Sequence, residues 1–216
     1  KTAAELLRRV AAGEGFGGLP RQDKTDQVTA VEIALKYSYD YLGESGPQAQ
    51  AQFRALGVFA PEADFDTDAA AAVWDLPRPA AEEFLLLLDG LGLLQETAPG
   101  ERWQQHAILR AYALSLQSAE ERIHYPERHA DYYLALAQRC YESKPRDADR
   151  VEREFGQLQH AFAWCEANSP RRATRLTLLL DDFMRNRGRA ATLQQWLRTA
   201  MQGANLHGDR LGKANT

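Results

Sequence analysis

Two cysteines in 216 residues, Cys140 and Cys165, are too isolated for a disulfide framework or a zinc site, because neither has a second Cys or a His at ligand spacing. No CxxC, HExxH, GxSxG or GxxxxGK[ST] sequence occurs, so thiol redox, zinc proteolysis, serine hydrolysis and NTP hydrolysis have no carrier in these residues. No run approaches the roughly 18 uninterrupted apolar residues that a membrane span needs. There is no initiating Met and no targeting motif. Lys1 opens directly onto helix-forming sequence, and the expectation is an excised piece of a longer, cytoplasmic, membrane-free protein in a reducing compartment.

What is present is apolar mass and charge. Hydrophobic residues make up 44% and charged residues 26%, enough to bury a sizeable core under a solvated surface in one or two domains. The net charge of -4 is an average. Residues 1–119 carry ten Lys and Arg against seventeen Asp and Glu, a balance of -7, whereas residues 120–216 carry sixteen against thirteen, a balance of +3. The acidic part is poorly suited to a phosphate backbone.

Apolar spacing predicts a helix over residues 1–12, a glycine-rich linker over 11–20, and a helix over 25–42 with Val28, Val31, Leu35, Tyr39 and Leu42 on one stripe. Short helices follow over 49–56 and 69–74, the second entered through the acidic cap Asp64-Phe65-Asp66-Thr67-Asp68. A third, over 80–91, is read as burying Phe84, Leu87, Leu88 and Leu91. Leu93 to Thr97 and Arg102 to Gln105, joined through Pro99-Gly100, read as a hairpin. Three helices and then a hairpin is the winged-helix order. A helix over 107–117 closes the unit. Ser118-Ala119-Glu120-Glu121 has capping-box spacing and opens an array of helices cut by Pro126, Pro145, Pro170, Gly188 and Gly203. The fold class expected is mainly α: a winged-helix domain over 45–118, after helical sequence and a linker over 1–44, followed over 119–216 by helix pairs that resemble the start of a degenerate TPR-like superhelix.

Catalytic candidates are sparse. Glu82-Glu83 and Asp181-Asp182 are sequence neighbours, about 100° apart on a helix, which suits a solvated face rather than opposed acid and base. His124, His129, His160 and His207 read as solvated or capping residues. His106 stands at the junction of hairpin and helix, where backbone can hold one side of the imidazole while the other projects toward a neighbouring domain. On residue chemistry alone a structural role stands beside that functional one. Helix 80–91 carries Glu82, Glu83 and Asp89 with no Lys or Arg, and the hairpin offers only Arg102 as a phosphate contact, which argues against direct DNA binding.

The order of motifs resembles the signal-transduction ATPases of the NB-ARC type. Ala34-Leu35-Lys36-Tyr37-Ser38-Tyr39-Asp40-Tyr41-Leu42 is similar to the helix that closes the family's first helical domain. Phe53-Arg54-Ala55-Leu56-Gly57-Val58-Phe59 resembles the opening of its winged helix, and Leu86 to Leu94 the stretch before the wing. Gln105-His106-Ala107 falls where the family has Met-His-Asp, followed by Ile108-Leu109-Arg110-Ala111-Tyr112-Ala113. Downstream, Arg128 to Ala137, Glu154 to Trp164, and Gly188 through Trp196-Leu197 to Ala200 resemble the linker helix and sensor arm of bacterial members.

The resemblance implies that His106 senses nucleotide by contacting the β-phosphate of ADP in the closed state. ADP or ATP with Mg is expected in the full-length parent and none in this segment, since the groups that bind and hydrolyse ATP would precede Lys1. The implied role is non-catalytic and regulatory. The implied partners are the upstream nucleotide-binding domain of the same chain, a protein or small-molecule signal on the helical arm, and further copies of the full-length protein when active. Two other readings remain at this point: a DNA-binding winged-helix regulator, and a helical protein-interaction scaffold with no nucleotide link.

Overall fold

The computed structural model describes residues 35–44 and 46–206. The helix expected over 1–12, the linker over 11–20, the first part of the 25–42 helix and His207 lie outside the described residues. The chain forms two compact units that divide between Arg122 and Ile123. It is mainly α-helical, with a winged-helix arrangement in the first unit and a helical array in the second.

In the first unit, α1 (residues 35–44) buries Leu35 and Leu42. The second helix, α2 (Pro47–Ala55), starts on a proline, whose missing N–H costs nothing at a helix N-terminus, and runs into a single 3-10 turn, Leu56–Val58. Gly57 in that turn sits against the last helix of the unit. A Cβ there would stand 3.0 Å from Leu114 Cγ and 3.2 Å from the Leu114 backbone N, so glycine permits the approach. A two-residue strand, β1 (Phe65–Asp66), leads into α3 (Thr67–Trp74), capped by Asp66, whose side chain accepts a hydrogen bond from the Ala69 N–H at 2.7 Å. The next helix, α4 (Arg78–Gly90), is followed by β2 (Gln95–Ala98), β3 (Arg102–Gln104) and α5 (Ala107–Ser115).

The hairpin β2–β3 is as expected, and its turn places Gly100 at φ 66, a left-handed conformation that suits glycine. β1 was not anticipated. It pairs antiparallel with β3, Phe65 opposite Trp103, so the sheet has three strands in the order β1-β3-β2. Trp103 is fully buried at its centre and donates from Nε1 to Thr67 Oγ1 at 3.0 Å. Phe59 stacks on Phe65 with ring centroids 3.8 Å apart. On α4 the buried residues are Ala81, Leu85 and Leu88. The expected face of Phe84, Leu87, Leu88 and Leu91 is thus turned by about one residue, an ambiguity created by four consecutive leucines that fit either phase.

The capping box forms as expected: Glu121 N–H donates to Ser118 Oγ at 3.2 Å, and Ser118 N–H to Glu121 Oε2 at 2.9 Å. It starts α6 (Glu121–Glu142), which runs straight through Pro126. Pro126 therefore does not end a helix. Short helix α7 (Ala148–Arg153) and α8 (Phe155–Asn168) meet at Glu154, between Pro145 and Pro170 where the sequence predicts one uncut helix, and α9 (Pro170–Asn186) and α10 (Ala190–Leu206) complete the second unit. Gly203 lies inside α10 and does not cut it. Tyr133, Ala137 and Cys140 of α6, Leu158 and Cys165 of α8, Leu176, Leu180 and Phe183 of α9, and Leu193 and Ala200 of α10 are buried, and Trp196 of α10 stacks on Phe162 of α8 at 3.8 Å. No helix among the described residues is long and apolar enough to cross a membrane.

Candidate functional site

β3 ends at Gln104, Gln105 turns inward and His106 outward, and α5 begins. The reversal follows from the extended backbone of His106 (φ -60, ψ 143), the usual geometry of a residue just before a helix. His106 caps α5 with its ring: Nδ1 accepts a hydrogen bond from the Ile108 N–H at 3.3 Å. An accepting Nδ1 places the proton of the neutral imidazole on Nε2, so the exposed edge of the ring is a donor. The ring stands at the positive end of the α5 dipole. One turn along the helix, Arg110 is half-buried and donates from Nε to the Phe59 carbonyl at 2.7 Å, with burial lowering its pKa from the usual guanidinium range. The ring's donor edge and the helix dipole thus coincide in a part of the chain with a net negative charge.

Gln105 beneath is buried, and neither Oε1 nor Nε2 has a hydrogen-bond partner among the described residues. Residue type alone does not reveal this, because burial of position 105 depends on where β3 stops.

The remaining winged-helix surface presents little to an anion. On α4, Glu83, Leu86 and Gly90 face solvent, and Arg78 at its start is paired to Asp68 at 2.8 Å. Arg102, the one hairpin cation read as a phosphate contact, is buried and held by Asp64 Oδ1 at 2.6 Å, and that hydrogen bond keeps the Asp64 carboxyl below its ordinary range. It faces the interior, because its strand position places it against the loop before β1.

Arg54 ties together elements that sequence reading kept apart. Its guanidinium donates to both carboxylate oxygens of Glu121, at 2.6 and 3.0 Å, and to Tyr39 Oη at 2.5 Å, while its backbone carbonyl accepts from Gln117 Nε2 at 2.8 Å. The Glu121 hydrogen bond raises the Arg54 pKa above the ordinary arginine range. The middle of α1, the winged helix and the start of α6 thus share one fork.

The chain is similar in part to two regulatory proteins. Regulatory protein AfsR of Streptomyces griseus is 31% identical over 141 residues, covering 61% of this chain and 14% of that protein. Regulatory protein AfsR of Streptomyces coelicolor is 37% identical over 130 residues, covering 56% of this chain and 12% of that protein. This chain therefore spans about an eighth of the length of these curated relatives. No family model and no solved structure matches it.

In the second unit, His129 corrects the reading of a solvated or capping residue. It is buried, since α6 continues past Pro126 and carries position 129 onto the inward stripe, and its Nε2 lies 3.0 Å from Gln157 Oε1. Its ring packs on Tyr133 at 4.7 Å and edge-on to His160 at 5.6 Å. Both thiols are buried, and burial pushes Cys165 up to about 11. No group of three or more His, Cys, Asp or Glu among the described residues is arranged to hold a metal.

Proposed function

We propose that this segment is the non-catalytic regulatory part of an NB-ARC-type signalling ATPase, in which the winged helix senses the nucleotide state and the helical arm receives a signal. The observation that carries the reading is the geometry of His106: exposed, locked to one tautomer by the Ile108 N–H, and presenting Nε2–H at a helix N-terminus. A phosphate oxygen is the natural acceptor for such a donor. ADP would be held mainly by the upstream nucleotide-binding domain of the same chain, with His106 adding one hydrogen bond that exists only while the winged helix is docked. ADP then stabilises the closed state by its differential affinity, and a signal on the arm opposes it through the same two-state equilibrium. Similarity to regulatory proteins far longer than this chain supports such a setting.

Nucleotide content tests the reading. Full-length protein purified without added nucleotide should carry close to one ADP per chain, and the His106→Ala variant clearly less, measured by chromatography of the acid-released nucleotide. Equal content in both would remove His106 from the nucleotide site.

A further inference from the structure

Between the C-terminal half of α6, α7 and the C-terminal half of α9 lies a cavity of about 140 Å³. Its floor is apolar: Ala137, Cys140, Val151, Leu180 and Phe183 line it. Its rim is charged in both signs. On the rim Arg146 pairs with Asp182, while Arg187, also on the rim, reaches out to Asp149 beside the cavity at 2.9 Å. The Arg146 guanidinium also lies over the Tyr141 ring, 4.1 Å from its centroid, which holds that cation at the edge of the cavity. Beyond Arg146 an open depression, bounded by Ser143, Pro145 and Asp149, adjoins the cavity.

We propose that this cavity binds an apolar α-amino acid. The volume is close to the roughly 150 Å³ of an apolar cavity that accepts benzene, which is the size of a leucine or phenylalanine side chain. A purely apolar molecule would leave the rim unused, and a simple anion or cation would match only half of it. A zwitterion answers both halves, its carboxylate exchanging with Asp182 at Arg146 and its ammonium meeting the released Asp182. The exchange is cheap because the resident pairs are solvated: the Asp182 side chain is 58% exposed and that of Asp149 is 92% exposed. The same two pairs join the segment of 146–149 to α9, so a ligand inserted between them changes how the short helix α7 is held. This gives chemistry to the signal proposed for the arm and takes its regulatory sense from that reading, although binding itself does not depend on it.

Calorimetric titration of the 216-residue chain, without nucleotide, tests the site. L-leucine or L-phenylalanine should bind with one-to-one stoichiometry. 4-Methylpentanoate and isopentylamine, which keep the leucine side chain and one each of its two charges, should bind at least about tenfold more weakly, the loss expected for one charge-assisted hydrogen bond. The double variant Arg146→Ala, Asp182→Asn lies on the exposed rim and should lose about tenfold in affinity with an unchanged urea midpoint. Val151→Phe, which fills the cavity, should abolish binding; if it fails to fold, the rim variant still decides. Absence of binding by either amino acid, equal binding of leucine and 4-methylpentanoate, or an unaltered rim variant would overturn the proposal. None of these outcomes bears on nucleotide retention through His106, so the two readings fail separately.

Discussion

Gln105 is a buried amide with neither polar atom paired among the described residues, and its desolvation opposes folding. Methionine has nearly the same shape without the hydrogen-bonding demand. Gln105→Met should therefore stabilise the chain by about 1–3 kcal/mol, read as a raised thermal midpoint. Unchanged or lower stability would mean that the amide finds a partner in the folded chain. The Asp64–Arg102 pair makes a second residue-scale prediction. Because Arg102 lowers the Asp64 pKa in the folded chain, the stability gained is fully present above the unfolded carboxylate pKa, about 4, and is lost as pH falls through the lower folded value. Urea midpoints measured from pH 7 to pH 2 should show wild type exceeding Asp64→Asn at neutral pH, with the difference shrinking below about pH 4. A difference independent of pH would assign the pair no linkage.

At the scale of elements, the start of α6 is fixed twice. Glu121 closes the capping box with Ser118 and accepts the fork of Arg54. Ser118→Ala removes one cap and should cost about 1 kcal/mol. Glu121→Ala removes the cap and leaves the mostly buried Arg54 guanidinium without its carboxylate, for a cost of about 2–3 kcal/mol by urea denaturation. Equal costs would show that the fork contributes nothing. These elements also show what local sequence can and cannot tell. The capping box and the Pro-Gly turn were legible because each is a short-range device with its own residues. β1 was not, because a two-residue strand inside an acidic cap has no period and exists only through its pairing with β3. Pro126 and Gly203 were misread as breaks because the helices around them are held by tertiary burial of Ala130, Tyr133, Trp196 and Ala200, which overrides local propensity. His106 was legible as a junction residue. Its tautomer, the orphaned Gln105 and the burial of Arg102 were not, since each depends on which way a side chain turns.

At the scale of the whole molecule, charge separates the rival readings. The winged helix belongs to the acidic part of the chain, its α4 exposes Glu83 and Leu86, and Arg102 is spent on Asp64. Phosphate contacts drive non-specific DNA binding and weaken steeply with salt. A gel-shift titration of the 216-residue chain with duplex DNA should show no complex even at low salt, and a salt-sensitive complex would restore the DNA-binding alternative. The proposed switch rests on one contact, His106 Nε2–H as a donor to bound ADP in the full-length protein. Release of fluorescent ADP from that protein, chased with excess unlabelled nucleotide, measures this hydrogen bond directly. His106→Ala should speed release by roughly 10- to 100-fold, as expected for one hydrogen bond to a charged acceptor, whereas identical release rates for wild type and variant would contradict the account.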